Sequence, residues 1–568
     1  MRVSGIGIIP LAAVSLLLAS PDTILHNGRF VSMDAKSSVH QAIAIESGRI
    51  AAVGANAAIL SMRGPATRLV DLKGRTVLPG LIDSHVHALS AGLSEFREPL
   101  PPLDSFAAIQ SFLRVKAARV PKGQWITVPR TFPTRLKEMR MPTRAELDVV
   151  ATHPVLFDAS YSVVVNSYAL RMSGITRSTP NPPRGEIVKD VNGEPNGILK
   201  NGASLLKGRK EDAGFTGEEK LQALEQMLHR YAEAGLTSVS DRAVTAAEFA
   251  LYQQLEAQRK LPVRATLTWR LDAAKPTEEV VRQINAVAFQ TGSGTDWLRF
   301  GAFKVTLDGG MTIGTAYQRV PYGEFGEQLY GQTNKDDRGL LFIPPEKLTA
   351  IFRAARAKGW QLTAHCQGGG AVDVFLDALA ALDREKPIAA TRSHLMHASF
   401  QSPEAIARAR KMGVTADIQT PWLYHDGPAL EKVFGASGMR YFIPLRAYID
   451  AGVIVAAGSD HMIGHDRNRA VNPYNPFLSM WIAITRKTTA GRPIHSEQSI
   501  SRMEALKMHT IWAAWMQNAE GVKGSLEPGK FADLVVIDRD ILTVPEDQIR
   551  DILPVLTMVD GAVVYERK

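Results

Sequence analysis

The chain has 568 residues, of which 45% are hydrophobic and 22% charged, ordinary values for a globular protein that argue against disorder. Its formal net charge is +9, but the basic residues are scattered and form no dense run with interleaved aromatics, so we predict no nucleic-acid partner. The single cysteine, Cys366, excludes an internal disulfide and a cysteine-rich zinc cluster.

The N-terminus has the elements of an export signal. Arg2 precedes an apolar run over residues 6–18, which ends near the small residues Ala19 and Ser20. The run is too short for a comfortable membrane span. We therefore predict a signal segment at 1–20, a periplasmic or secreted location and no stable membrane span. The alternative is a buried first segment of a cytoplasmic protein.

The two ends of the remaining chain are rich in β-prone runs. Residues 22–79 contain "DTILHNGRFVSMD", "QAIAIESGRIAAVG" and "TRLVDLKGRTVLPG", separated by Gly and Asn turns. Residues 521–568 contain "FADLVVIDRD" and "VLTMVDGAVVYE", which have the same character. We predict that the two ends pair into one composite β-sandwich.

Residues 80–520 alternate between β-type runs and amphipathic helical runs, which is typical of a parallel sheet. Eight such strands predict an α/β fold with a closed (β/α)₈ TIM-like barrel, and the alternative is an open doubly wound sheet. A proline-rich, turn-rich stretch at about 100–215 predicts an inserted subdomain over the barrel mouth. The predicted barrel strands are 81–88, 236–243, 263–271, 299–310, 361–369, 392–400, 414–422 and 453–462.

Polar residues occur late in several of these strands, where the active site of a TIM barrel lies. His85 and His87 are two residues apart, so both side chains point to one side of a strand and can bind one metal ion. His365, His397 and Asp460 lie late in their own strands. Each alone is also compatible with a structural role, and the joint placement favours a metal site.

Lys304 is unusual because strand-forming residues flank it, and a buried ammonium group is costly unless paired. It could form a salt bridge, for example to Asp308. Alternatively, a buried lysine loses its proton readily, and the neutral amine can take up carbon dioxide to form a carbamate that bridges two metals. Such nitrogen and oxygen ligands suit one or two Zn²⁺ ions, with manganese, nickel and iron as alternatives.

Several motifs resemble the amidohydrolase superfamily. "LPGLIDSHVHA" is similar to its metal-binding opening, and "GSLEPGKFADLVVID" to its closing sandwich signature. "HPVLFDASYSVVVNSYALRMSGI", "GEPNGILKNGA", "KVTLDGG" and "GSDHMIG" resemble the N-substituted-formamide-deformylase-like branch, amidohydrolase family 3. The resemblance covers nearly the whole chain after the signal. It implies a metal-dependent hydrolase that cleaves a non-peptide carbon–nitrogen bond in a small molecule, such as an amide, formamide or cyclic amide.

The resemblance also implies roles for individual residues. His85, His87 and Asp460 would hold the more buried metal, His365 and His397 a second metal, and carboxylated Lys304 would bridge both. Asp460 would act as the acid–base group for a metal-bound hydroxide. Met396 stands where the branch has an acidic residue, and Ser160-Tyr161 replaces an aromatic–histidine feature, which puts the substrate identity in doubt.

Further residues at the mouth are candidates for substrate binding, with ordinary loop packing as the alternative. They are Tyr161, Trp422, Tyr424, His425, His461 and His465. Three other functions stay open: an esterase or lactonase on the same site, a metal-dependent isomerase, and a non-catalytic binding protein. A homo-oligomeric state of the protein is also left open by the sequence.

Overall fold

The structure is a computed structural model that describes residues 20–209 and 214–568. The predicted signal at 1–20 lies outside the described residues, except for Ser20. Within those two ranges, no helix is both long enough and apolar enough to cross a membrane.

The strands and helices alternate along most of the chain. The strands before the insertion are β1 Thr23–His26, β2 Arg29–Val31, β3 Val39–His40, β4 Ala42–Glu46, β5 Arg49–Gly54, β6 Arg68–Asp71, β7 Thr76–Pro79 and β8 Leu81–Val86. The insertion contains β9 Ile126–Val128, β10 Val155–Asp158, β11 Ser162–Val165, β12 Glu186–Lys189 and β13 Pro195–Lys200. The remaining strands are β14 Leu236–Val244, β15 Arg264–Arg270, β16 Leu298–Thr306, β17 Gln361–Cys366, β18 His394–His397, β19 Thr415–Gln419, β20 Val455–Gly458, β21 Leu534–Ile537, β22 Pro554–Val559 and β23 Ala562–Glu566.

The helices between them begin mostly at Ser, Thr or Asn caps or at proline, as expected from helix-capping preferences. They are α1 Asn56–Leu60, α2 Ala88–Ser94, α3 Phe106–Ala117, α4 Arg144–Leu147, α5 Ser167–Ser173, α6 Gly217–Glu233, α7 Ala246–Ala257, α8 Thr277–Ala286, α9 Gly323–Tyr330, α10 Pro345–Ala357, α11 Gly369–Glu385, α12 Pro403–Lys411, α13 Thr420–Gly438, α14 Leu445–Asp450, α15 Pro476–Thr485, α16 Arg502–Met508 and α17 Ile511–Met516.

Strands β8 and β14 to β20 form one parallel sheet in sequence order. The backbone amide of Asp460 donates to the His85 carbonyl (2.7 Å) and that of His87 to the His461 carbonyl (2.9 Å), which joins the last strand to the first. The sheet is therefore a TIM-like barrel, as predicted, and the alternative of an open doubly wound sheet is wrong. Each predicted barrel strand overlaps an observed one, although β16 ends at Thr306 and not at residue 310.

The barrel strands are almost entirely buried, and the outer helices pack their apolar faces on them. In α6, Leu224, Leu228 and Tyr231 are fully buried, while the opposite face is charged. Thr216 begins this helix with a capping box, because its hydroxyl accepts from the Glu219 amide and the Glu219 carboxylate accepts from the Thr216 amide. The apolar residues whose three- and four-residue spacing predicts these helices thus face the barrel.

The two ends of the chain form a composite β-sandwich, as predicted. One sheet has the order β5-β4-β1-β6, and the other has the order β23-β22-β21-β7-β2-β3. In the second sheet the C-terminal strand β21 pairs antiparallel with the N-terminal strand β7, from Leu534 opposite Pro79 to Ile537 opposite Thr76. The apolar interior between the sheets includes Leu25, Phe30, Ile43 and Leu534.

The predicted insertion has its own five-stranded sheet, in the order β12-β13-β11-β10-β9. The turn between β10 and β11 carries Ser160 and Tyr161 toward the barrel. The Tyr161 ring lies edge-on to the imidazole of His365, with 5.2 Å between ring centroids. The insertion therefore contributes a wall at the mouth of the barrel, where the polar strand ends converge.

Candidate active site

His85, His87 and Asp460 bring potential metal-ligand atoms together at the mouth of the barrel. One atom from each lies within 4.8 Å of the others. The Asp460 Oδ1 atom lies 3.4 Å from His85 Nε2 and 3.3 Å from His87 Nε2. His85 Nε2 is buried and has no hydrogen-bond partner within residues 20–209 and 214–568, although a buried polar atom normally has one. Two imidazole nitrogens and a carboxylate oxygen that lie this close together fit a divalent cation.

Local backbone geometry places these side chains. His85 lies in β8, and His87 follows the end of that strand as the residue before α2, where its side chain still lies beside that of His85. Asp460 has a φ of 56°, a left-handed conformation that aspartate tolerates and that turns its carboxylate inward directly after β20. His397 at the end of β18 has a φ of 68°. Strained backbone at two candidate ligands is typical of functional sites.

Lys304, His365 and His397 lie beside this group. The ring centroid of His397 is 4.9 Å from that of His85 and 4.4 Å from that of His365. Lys304 is buried on β16 and lines the same cavity. It makes no salt bridge to Asp308, whose carboxylate instead accepts from the backbone amides of Tyr317, Gln367 and Gly368.

Two residues of β19 orient the histidines. The Asp417 carboxylate can only accept, so the His85 Nδ1–H donates to Asp417 Oδ2 (3.1 Å) and leaves Nε2 free for a metal. His397 Nδ1 donates to Gln419 Oε1 (2.7 Å), which leaves its Nε2 free. His365 Nε2 donates to the Gly309 carbonyl (3.1 Å), which leaves Nδ1. Such partners fix the tautomer of metal-binding histidines.

Sequence reasoning missed Asp417, Gln419 and Arg242. The Arg242 guanidinium, on β14, lies 3.2 Å from Asp417 Oδ2 and donates to His394 Nε2 (2.9 Å). The His394 imidazole is thus a hydrogen-bond partner of Arg242. A signal was present in the sequence, because a charged residue inside a predicted buried strand needs a partner.

The pKa values suit metal binding. Burial lowers the pKa of His85 and His365 well below the usual value and that of His397 to about 4, so all three are neutral at neutral pH. Burial also lowers the pKa of Lys304 to about 8, against the opposing charge of Asp460. For Asp460 burial raises the pKa, but the nearby imidazoles of His85, His87 and His397 lower it by a larger amount. The pKa of Asp460 therefore lies below its usual value, and the carboxyl is ionised. Neutral imidazoles and an ionised carboxylate are the forms that bind metal ions.

The group lies at the bottom of a cavity of about 390 Å³. Tyr161 and Trp422 line it, as do Arg130 and Arg270. Of the residues predicted to bind substrate, Tyr424, His425, His461 and His465 do not line it. His461 and His465 instead contact neighbouring loops: His461 lies 2.9 Å from the Tyr231 hydroxyl, and both imidazoles donate to backbone carbonyls.

Comparison with known proteins identifies the family of this chain. The model of the amidohydrolase family matches residues 68–565. The chain belongs to the amidohydrolase family. The family predicted from the sequence motifs is therefore confirmed, and the protein is an amidohydrolase, a hydrolase that acts on carbon–nitrogen bonds other than peptide bonds.

Individual relatives agree with this assignment. The N-substituted formamide deformylase of Arthrobacter pascens is 30% identical over 96% of this chain and 98% of its own length. An uncharacterised metal-dependent hydrolase from Pyrococcus horikoshii shares the fold, with a TM-score of 0.68 and 20% identity over 92% of this chain and 99% of that one. The atrazine chlorohydrolase of Arthrobacter aurescens, solved with zinc, has a TM-score of 0.55 and 18% identity over 96% and 95% of the two chains.

Proposed function

We propose that this amidohydrolase cleaves an amide, a formamide or a cyclic amide in a small molecule, with a divalent metal held by His85, His87 and Asp460. The observation that carries the proposal is the buried, unpartnered Nε2 of His85 beside the Asp460 carboxylate. Two further supports are the similarity to a formamide deformylase over nearly the whole chain and the neutral state of the buried imidazoles.

We further propose that Lys304, His365 and His397 hold a second metal, with Lys304 carboxylated at Nζ. The lowered pKa of Lys304 favours the neutral amine, which attacks the carbon of carbon dioxide and loses a proton to give the carbamate. We assign Zn²⁺ as the first choice because the donor atoms are nitrogen and oxygen, with manganese, nickel and iron as alternatives. A cation bound here would polarise the substrate carbonyl and lower the pKa of a bound water toward ~7.

Asp460 is placed to move the proton of the reaction. Its Oδ1 lies 3.4 Å from His85 Nε2 and 3.3 Å from His87 Nε2. Its Oδ2 is farther from its histidine neighbour, at 3.9 Å from His397 Nδ1. We assign to Oδ2 the acceptance of the proton lost by the attacking water and its transfer to the nitrogen of the leaving amine. Tyr161 would orient the substrate, because burial raises the pKa of its hydroxyl and keeps it protonated as a donor.

Elemental analysis of purified protein tests the metal assignment. Wild type is expected to contain about two metal ions per chain, and Asp460→Ala and Lys304→Ala are expected to lose metal. The exposed Lys358 gives a matched control, Lys358→Ala, which should keep the wild-type content. A content of about one ion that Lys304→Ala does not change would contradict the second site. No metal after reconstitution would contradict the proposal as a whole.

Product analysis tests the reaction. Amide cleavage releases an amine and adds the mass of water, whereas an esterase or lactonase releases no amine and an isomerase leaves the mass unchanged. Amine release by wild type, abolished in Asp460→Ala, is the expected result. A metal-loaded protein without turnover on any amide, formamide or cyclic amide would instead be a binding protein.

A further inference from the structure

A second cavity opens beside the catalytic cavity, and we call it the side groove. Its volume is about 950 Å³, more than twice that of the catalytic cavity. The two adjoin, because they share the wall residues Leu89, Ser90, Arg130, Thr245, Glu248 and Met462. Met462 follows Asp460 by two residues, so the groove begins next to the proposed reaction centre.

The walls of the side groove are mostly apolar. Helix α2 contributes Leu89 and Leu93, α3 contributes Phe112, and α7 contributes Leu251. Ile463 extends this surface beyond Met462. An apolar surface that adjoins a polar reaction centre is the usual arrangement of a site for an amphipathic small molecule.

Most charged groups along the side groove have a partner of opposite charge, and the Glu248 carboxylate accepts from the Thr245 amide and hydroxyl. Lys116 forms an ion pair with Glu98. Arg97 lies 3.0 Å from Glu219, and Arg130 lies 3.4 Å from Asp158. These pairs offset charge on the rim, so the groove favours an uncharged occupant.

We propose that the side groove binds an uncharged alkyl or arylalkyl group of the substrate, so that this enzyme acts on amides with a long apolar chain on one side of the scissile bond. The inference rests on the proposed function and specifies its substrate class. The side groove adjoins the catalytic cavity at Met462, which lines both. This position favours part of the substrate as the occupant over a second copy of the chain, because a contact between subunits would not need to reach the catalytic cavity.

The test measures binding separately from hydrolysis. Methyl n-alkyl ketones with butyl, hexyl, octyl and decyl chains are shaped like the amides but cannot be hydrolysed. Calorimetry on the metal-loaded enzyme gives their dissociation constants, and the matching n-alkyl amides give kcat/KM. Each methylene buried in the groove is expected to tighten ketone binding by roughly fourfold.

Two adjacent alanines of α7 give a matched pair of variants. Ala247 and Ala246 are both exposed, but only Ala247 lines the side groove. Ala247→Trp should fill the groove, so that binding no longer tightens with chain length. Ala246→Trp should keep the wild-type dependence. Leu93→Ala, which removes apolar wall surface, should reduce the gain per methylene.

The outcomes separate the two proposals. Ketone binding that tightens with chain length in wild type and Ala246→Trp, but not in Ala247→Trp, supports the side groove, even if no amide is hydrolysed. In that case only the proposed function fails. Binding independent of chain length in wild type overturns the inference, whatever the amides do. The inference is also overturned if Ala247→Trp changes the oligomeric state and leaves the dependence of ketone binding on chain length intact.

Discussion

Asp417 contacts several different groups in the interior of the barrel. Its Oδ2 accepts from His85 Nδ1 at 3.1 Å and lies 3.2 Å from the guanidinium of Arg242. Its Oδ1 accepts from the Ser84 hydroxyl at 2.5 Å. The carboxylate thus orients a proposed metal ligand and also neutralises a buried cation, so its effect on the site exceeds that of one hydrogen bond.

Replacement of Asp417 by Asn should weaken metal binding. An amide cannot accept from His85 with the strength of a carboxylate, so the imidazole is a poorer ligand. We expect the dissociation constant for Zn²⁺, measured by competition with a chelator, to rise about tenfold to a hundredfold. Asp377→Asn, at an exposed position, is the control. An unchanged zinc affinity in a folded Asp417→Asn protein would exclude the orienting role.

At the scale of elements, the contact between β20 and β8 determines where the metal-binding group forms. Gly458 ends β20, and a Cβ atom there would lie 2.5 Å from His85 Cβ and 2.6 Å from His85 N. Real Cβ atoms do not approach so closely, and both neighbours belong to buried strand. Glycine at this position therefore allows the last strand to pack directly against His85.

Gly458→Ala should displace His85 relative to Asp460. Overpacking in a closely packed core costs about 1–3 kcal/mol of stability, and the shift should lower the metal content of purified protein. Gly217→Ala is a suitable control, because its added Cβ would have no atom of the residues that the structure describes within 4 Å. Wild-type metal content and melting temperature in Gly458→Ala would show that the strands can separate without consequence for the site.

At the scale of the whole molecule, a buried ion pair connects the barrel to the C-terminal part of the sandwich. Arg264 on β15 donates from Nε and Nη2 to the two oxygens of Asp533, at 2.8 and 3.0 Å, just before β21. Both side chains are buried, and Asp560 lies 3.1 Å from the same guanidinium. The pair links residues 269 positions apart in sequence.

Asp533→Ala should destabilise the protein by about 3 kcal/mol, because it leaves the buried Arg264 guanidinium with the half-exposed Asp560 as its remaining carboxylate partner. The melting temperature gives the measurement. The combined variant Arg264→Met with Asp533→Leu should recover much of the loss, since it removes both buried charges. Asp377→Ala breaks an exposed pair with Arg408 and should cost less than about 1 kcal/mol. Equal losses in Asp533→Ala and Asp377→Ala would contradict this account.

The sequence by itself determined the family, the barrel, the composite sandwich and the six proposed ligands. Alternating strand and helix periodicity depends on local side-chain pattern, and His85 and His87 lie in a recognisable motif. The tertiary structure alone decided which polar residues share a cavity. Asp417 and His85 are 332 positions apart, and Tyr161 reaches His365 from a separate sheet. The side groove likewise forms from helices α2, α3 and α7, distant in sequence, whose local periodicity predicts a buried face but not its neighbours.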